Sequence, residues 1–168
     1  VTQVEVGNDD LSVGIDDGEY AIYNNANSLS LVMSDEISSN RAAGVKGTAK
    51  NSILSMAKDH YFIIEKAEGK NGNKFYIKTA TGKYINMGSA NASLSLSDVP
   101  QPITAYVVGD GRVCFYSDDN QFLDLFVNEN AFSCWSGTTS NISDNRKMYL
   151  YRKPSDSAGV DTYTEALY

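Results

Sequence analysis

Side chains that could bind a carbohydrate are concentrated between residues 118 and 135. An aromatic ring offers a flat apolar face on which a pyranose can stack, and carboxylates and amides can form hydrogen bonds with its hydroxyl groups. The segment therefore predicts a shallow sugar site, unless Trp135 is instead buried in the core, as tryptophan usually is. The predicted site residues are Asp118, Asp119, Asn120, Gln121, Phe122, Asn128, Asn130 and Trp135.

Residues that could perform catalysis do not form a recognisable motif. His60 is the only histidine, and nucleophilic catalysis needs a nucleophile, a base and a third group that orients the base. Acidic residues cluster at Asp118, Asp119, Asp124 and Glu129, but their spacing does not match that of a calcium-binding loop. We therefore expect no enzymatic activity, no catalytic residues, no metal site and no cofactor.

The charge of the chain argues against a nucleic-acid partner. The 168 residues carry a formal net charge of -7, whereas nucleic-acid binding requires a basic face that displaces counterions from phosphates. The sequence contains no run of about eighteen apolar residues and no leader at its start, so we expect neither membrane insertion nor an export signal within the chain as given.

Two cysteines, Cys114 and Cys134, allow at most one disulfide. Both lie in predicted strands. A bridge would suit an oxidising compartment, and two buried thiols are the equally reasonable alternative because free cysteine is readily buried.

Short apolar or alternating runs, separated by turn residues, recur along the chain from residue 16 onward. This spacing is typical of a β-sandwich or β-barrel, and no long amphipathic helix is predicted. The stretch from Asn40 to Asn51 contains glycines and lacks sustained apolar periodicity, so we expect an irregular excursion there. The twelve predicted strands cover residues 20–23, 29–33, 53–56, 61–65, 75–78, 83–87, 93–97, 104–108, 113–116, 122–127, 132–135 and 148–151.

The twelve runs fall into three repeats of four strands, which we call units one, two and three. Their fourth strands, at residues 61–64, 105–108 and 148–151, lie 44 and then 43 residues apart. Such a repeat predicts an all-β β-trefoil, in which six strands close a barrel and six form a cap of hairpins. An immunoglobulin-like β-sandwich is the alternative, but its seven to nine strands would leave several runs unused. Equivalent turns, rich in residues that tolerate positive φ, are predicted at residues 24–27, 79–82 and 117–120.

Two segments of the sequence also resemble a known family. Residues 75–85 (Phe-Tyr-Ile-Lys-Thr-Ala-Thr-Gly-Lys-Tyr-Ile) and residues 148–153 (Met-Tyr-Leu-Tyr-Arg-Lys) resemble ricin-B-type β-trefoils. They are similar in particular to trefoil-like modules at the C-terminal side of secreted multidomain proteins of Bacteroidetes-type bacteria. The resemblance covers roughly residues 18–153.

The resemblance implies where a sugar would bind. Each lobe of the family uses an acid from an early turn, an aromatic residue and an amide, which would make Asp118 or Asp119 the acid and Trp135 the stacking platform. The family's Gln-x-Trp signature is absent, since Gln121 is followed by Phe122 and Leu123. No site is expected in unit one, whose second and third strands have no aromatic residue. A weaker site is implied in unit two around Tyr84, Asn86 and Asn91.

These observations lead to an expected domain organisation and function. Residues 1–16 are predicted to be a lead-in strand or linker, residues 17–153 the β-trefoil, and residues 154–168 a linker to a missing C-terminal domain. We expect a non-catalytic carbohydrate-binding accessory module of a secreted or cell-surface bacterial protein, with a glycan and the neighbouring domains as partners. The alternative is a structural or protein-interaction spacer that packs on a catalytic domain of the parent protein.

Overall fold

The computed structural model describes residues 14–67, 72–154 and 162–166, and these residues form fourteen strands, two more than predicted. Single turns of 3-10 helix lie at Ala26–Ser28, Val127–Glu129 and Asp144–Arg146. In this part of the chain, no helix has the length and apolar character needed to cross a bilayer. The strands are β1 (Gly18–Asn24), β2 (Leu31–Ser38), β3 (Arg41–Lys50), β4 (Ile53–Met56), β5 (Phe62–Lys66), β6 (Lys74–Lys78), β7 (Tyr84–Met87), β8 (Leu94–Ser97), β9 (Ile103–Gly109), β10 (Arg112–Ser117), β11 (Gln121–Phe126), β12 (Ala131–Ser136), β13 (Tyr149–Arg152) and β14 (Thr162–Ala166).

Six of these strands close a barrel around the main core. Antiparallel pairing runs from β1 through β5, β6, β9 and β10, and β13 pairs back with β1. The last gap, between β10 and β13, is closed by the single bridge between Val113 and Met148. Phe62, Phe75 and Phe115 lie fully buried in the core, and removal of such apolar surface from water is the main force that stabilises a domain.

Three hairpins cap the barrel, one from each unit: β2–β3, β7–β8 and β11–β12. The predicted turns before these hairpins are equivalent in the structure, because each ends on a residue with positive φ. The residues are Asn27 (58°), Gly82 (91°) and Asn120 (58°). The predicted β-trefoil is confirmed, and the alternative immunoglobulin-like sandwich is wrong.

The irregular excursion predicted for residues 40–51 is also wrong, because Arg41–Lys50 form β3, the longest described strand. Its small residues lack the apolar alternation from which a strand is predicted, but they permit close packing. A Cβ atom at Gly47 would lie 2.7 Å from a methyl carbon of Val32, and one at Gly44 would lie 2.6 Å from the carbonyl oxygen of Asn130. The glycines that suggested a loop are therefore required by the neighbours of a strand.

A second ring of six strands adjoins the trefoil barrel. It runs β1, β2, β3, β4, β14, β13 and back to β1. Because successive side chains of a strand point to opposite faces, β1 and β13 serve both rings: Ile22 and Leu150 enter the trefoil core, whereas Tyr23 and Tyr151 enter the core of the second ring with Tyr163.

These strands correct the predicted domain limits. Ile15, expected in the lead-in of residues 1–16, is fully buried in the trefoil core. Thr162–Ala166, expected in a linker, form β14 between β4 and β13. Residues 1–13 of the lead-in, and residues 155–161 and 167–168 of the predicted linker, lie outside the described residues.

Cys114 and Cys134 are both buried free thiols and form no disulfide in the structure. Burial raises the pKa of Cys114 to about 12. The Sγ atom of Cys134 lies 3.4 Å from the backbone nitrogen of Ser93, which donates a hydrogen bond to it.

Candidate functional site

The outer face of the β11–β12 hairpin carries the side chains from which a site is built. Residues of β11 alternate between the two faces: Leu123 and Leu125 enter the barrel core. Phe122, Asp124 and Phe126 consequently point away from that core. On its outer face, β11 thus presents an acid between two aromatic residues.

Trp135 belongs to the same outer face, since it lies opposite Phe122 in the register of the hairpin. Its ring meets that of Phe126 edge to face, with the centroids 5.0 Å apart and the planes at 76°. This geometry is a favourable aromatic arrangement. Trp135 is only partly buried and is not part of the barrel core, so the interpretation in which it fills the barrel is wrong.

A concave pocket of about 240 Å³ lies beside Trp135, and we call it the aromatic pocket. Phe126 and Trp135 supply its aromatic wall, while Asp124, Asn128 and Asn145 supply its polar groups. A small cavity that combines aromatic surface with a few polar groups has the composition of a ligand site. The pocket is lined by Asp124, Leu125, Phe126, Val127, Asn128, Trp135 and Asn145.

The carboxylate of Asp124 is held by Arg146, whose Nε donates to Oδ2 over 2.8 Å. Burial raises the pKa of Asp124, and the adjacent Arg146 opposes that rise by favouring the ionised form. Arg146 also donates from Nη2 to the carbonyl oxygen of Ser136 and lies 5.2 Å from the centroid of the Phe122 ring. The acid of the pocket therefore has a fixed orientation.

Asn145 lies in the loop that precedes β13 and forms part of the wall of the aromatic pocket. That loop is anchored by Asn24, whose Nδ2 donates to the carbonyl oxygen of Asn145 over 3.0 Å. The side-chain Oδ1 of Asn145 accepts a hydrogen bond from Asn27 at 2.7 Å. Its Nδ2 is 3.5 Å from the carbonyl oxygen of Leu125, a long contact that a ligand oxygen could replace.

The structure brings together only some of the predicted site residues. Asn128 and Trp135 line the aromatic pocket. Asp118, Asp119 and Asn120 lie instead in the exposed turn between β10 and β11. Asp118, one of the two acids that the resemblance implied, pairs with Lys74 at 2.9 Å rather than lining the pocket.

The remaining predicted residues have other surroundings. Gln121 and Phe122 are almost completely buried, with 2% and 1% exposure. Asn130 lies beyond the pocket, at the end of the 3-10 turn, with φ 49°. Asp124, which sequence reasoning had placed only in an acidic cluster, takes the position of the pocket acid. Its alternation with Phe122 and Phe126 is the signal that could have identified it.

The residues of the weaker site implied in unit two make contacts with other parts of the fold. Oδ1 of Asn91 accepts from Gln121 Nε2 at 3.3 Å and from the backbone nitrogen of Ser136 at 2.9 Å. Asn86 donates to the carbonyl oxygen of Val99 at 3.0 Å. Tyr84 packs edge to face against Tyr76 with centroids 6.0 Å apart.

His60 pairs with an acid, since its Nδ1 lies 3.1 Å from Oδ1 of Asp35. The cavity that it borders is otherwise lined by Val45, Lys46, Ala57 and Lys58. None of these lining residues is a hydroxyl or thiol nucleophile, so the pair does not extend to a catalytic triad in that cavity.

Comparison with known proteins agrees with the fold. No protein-family model matches the sequence, and no curated protein matches it. Among solved structures, the chain is similar to the crystal structure of a designed threefold-symmetric protein, ThreeFoil, with a TM-score of 0.57 and 12% sequence identity. The match covers 80% of this chain and 98% of ThreeFoil. The trefoil fold is shared. At this identity the similarity extends to the fold alone.

Proposed function

We propose that this protein is a non-catalytic carbohydrate-binding module and that the aromatic pocket of unit three binds the sugar. One observation carries the proposal: a partly exposed tryptophan, an oriented carboxylate and two amides line a single small cavity. The face of Trp135 would stack on the apolar face of a pyranose. Asp124 would accept hydrogen bonds from hydroxyl groups, and Asn128 and Asn145 would both donate and accept.

Arg146 is a positioning residue in this proposal. Its hydrogen bond to Asp124 favours the ionised carboxylate and holds Oδ2. A charged acceptor makes a stronger hydrogen bond with a hydroxyl group than a neutral acceptor does. The ion pair would therefore prepare the pocket before the sugar arrives and reduce the entropic cost of binding.

The composition of the pocket favours binding over hydrolysis. Glycosidases generally need two carboxyl groups that flank the scissile bond, and among the described residues that line this pocket Asp124 is the only acid. The net charge of -7 favours a glycan over a nucleic acid as the partner. The resemblance to ricin-B-type modules supports an accessory role in a secreted or cell-surface protein, beside neighbouring domains.

The test uses the fluorescence of Trp135, the only tryptophan in the chain. Acrylamide quenching would be measured with and without glucose, galactose, mannose, N-acetylglucosamine and their oligomers. We expect at least one sugar to protect Trp135 and to bind with a measurable heat. The spacer hypothesis takes precedence if no sugar in this panel changes either signal.

Two matched variants distinguish the pocket acid from the acid implied by resemblance. Asp124→Asn should weaken binding of the protecting sugar by about tenfold, or about 1.4 kcal/mol, because a neutral amide replaces a charged acceptor. Asp118→Asn should leave binding unchanged, since Asp118 is exposed and paired with Lys74. If Asp118→Asn weakens binding and Asp124→Asn does not, the sugar binds at the turn between β10 and β11 instead.

A further inference from the structure

A second and larger concavity lies on the other side of the turn that borders the aromatic pocket. Its volume is about 600 Å³, and we call it the hairpin cleft. One side is formed by the β2–β3 hairpin of unit one, with Glu36, Ser38, Arg41 and Ala43. The other side is formed by residues 129–131 of unit three.

The packing of the two units gives the hairpin cleft a defined shape. The backbone nitrogen of Gly44 donates to the carbonyl oxygen of Asn130 over 2.9 Å. In addition, Ala43 pairs with Ala131 across β3 and β12. Oγ of Ser133 donates to the carbonyl oxygen of Asn40 over 2.6 Å. Because these contacts join β3 and its hairpin turn to β12, the cleft is built into the fold.

The hairpin cleft and the aromatic pocket share a wall. The 3-10 turn Val127–Glu129 contributes its first two residues to the pocket and Glu129 to the cleft. The guanidinium of Arg41, in the cleft, lies 5.4 Å from the centroid of the Phe126 ring. Phe126 in turn contacts Trp135 in the pocket. A ligand bound on Trp135 would therefore have the cleft directly beside it.

The groups in the hairpin cleft suit hydroxyl-rich ligands. Arg41 Nη1 and Glu129 Oε1 form an ion pair at 2.6 Å, and both side chains remain accessible, with 39% and 49% exposure. Such a pair presents donors and acceptors side by side, as neighbouring sugar hydroxyls require. Glu36 adds a second carboxylate to the cleft, so the lining acids outnumber Arg41 and disfavour an anionic ligand.

We propose that the ligand is a neutral oligosaccharide, with one pyranose in the aromatic pocket and the next units in the hairpin cleft. This inference rests on the proposed function. The pocket alone, at about 240 Å³, is below the usual range for drug-sized ligands, whereas the cleft, at about 600 Å³, is within it. Unit one, in which no sugar site was expected, supplies the extended subsite.

The experiment compares single sugars with their short oligomers by calorimetric titration. The probes are glucose and cellotriose, mannose and mannotriose, galactose and galactotriose, and N-acetylglucosamine and chitotriose. For at least one pair we expect the trisaccharide to bind about tenfold more tightly than the monosaccharide, because the additional units contact the cleft.

Two substitutions on the same strand provide the matched test. Ala43 is exposed and lines the cleft, so Ala43→Tyr should fill it, abolish the tenfold gain and leave monosaccharide binding unchanged. Ala49 is an exposed alanine of β3 outside the cleft lining, so Ala49→Tyr should preserve the gain. Glu129→Gln, which keeps the side-chain shape, should reduce the gain by about threefold by weakening the ion pair with Arg41.

The possible outcomes separate this inference from the proposed function. If a monosaccharide binds and its trisaccharide gains nothing, the extended subsite is wrong and the aromatic pocket stands. The subsite is also wrong if Ala43→Tyr and Ala49→Tyr have equal effects on the trisaccharide. If no probe binds at all, both proposals are overturned.

Discussion

Tyr163 offers a sharp test of the second ring, because its side chain is fully buried and its hydroxyl lies near the Asp59 carboxylate without a contact of normal hydrogen-bond geometry among the described residues. Replacing a buried aromatic residue with alanine costs about 3–5 kcal/mol, since both apolar burial and packing are lost. For a domain of this size that corresponds to a fall in melting temperature of about 6–20 °C. Tyr163→Ala should therefore destabilise the second ring substantially.

Tyr163→Phe, in contrast, should not destabilise the protein. Burial, and then the nearby Asp59 carboxylate, raise the pKa of Tyr163, so the phenol stays neutral at physiological pH. A buried hydroxyl without a partner costs about 1–3 kcal/mol, and its removal recovers part of that cost. We expect the Tyr163→Phe variant to be as stable as the unsubstituted protein or more stable by about 1 kcal/mol.

Urea unfolding, followed by Trp135 fluorescence and by amide hydrogen exchange, measures both variants. Trp135 lies in the β11–β12 hairpin, so fluorescence reports on the trefoil, whereas exchange in β4 and β14 reports on the second ring. Faster exchange there, with an unchanged fluorescence transition, would mean that the second ring opens locally. A loss of about 1–3 kcal/mol in Tyr163→Phe would refute the reasoning, because it would mean that the hydroxyl is bonded, with Asp59 as the nearest candidate.

Two further predictions concern the ion pair of the pocket and the thiols. The pKa of Asp124 is higher in the folded protein than in the unfolded chain. Between these two pKa values the folded protein binds more protons than the unfolded chain, so the free energy of unfolding falls as the pH rises through this interval. Arg146→Met removes the group that opposes this rise in the pKa, so its cost should be about 3 kcal/mol at pH 7 and should become smaller as the pH is lowered and Asp124 takes up a proton. Equal costs in urea unfolding at pH 7 and at acidic pH would contradict the assignment. Cys114 and Cys134 should not react with Ellman's reagent in the native protein, because both are buried, and both should react in denaturant without prior reduction; failure to react in denaturant would reveal a bridge.

Much of the trefoil could be predicted from the chain because its signals are local. Alternating apolar residues and turn residues act within a few positions, and three copies at nearly constant spacing identified the three units. Asn27, Gly82 and Asn120 have positive φ at equivalent turns, as the residue types suggested. Local backbone preference and repeat spacing were sufficient for that part of the fold.

The second ring could not be predicted in this way. The small residues of β3 lack apolar alternation, and their fit depends on neighbours that are distant in sequence: Gly44 on Asn130, and Gly47 on Val32. β14 resembles a linker in composition, and it becomes a strand because β4 and β13 offer unpaired edges on both sides. Pairing between distant segments therefore overrode composition.

The candidate site, like the fold, could be predicted only in part from the sequence. Residue types alone selected Trp135 and Asn128, because an aromatic ring and an amide are recognisable wherever they lie. Composition could not reveal that Asp124, rather than Asp118 or Asp119, faces the pocket. That choice depends on the alternation of β11 and on Arg146, which reaches Asp124 from the loop before β13. The sequence thus determined the chemistry available and the repeated fold, while long-range packing decided which side chains share a cavity, because distance and burial are properties of the assembled chain.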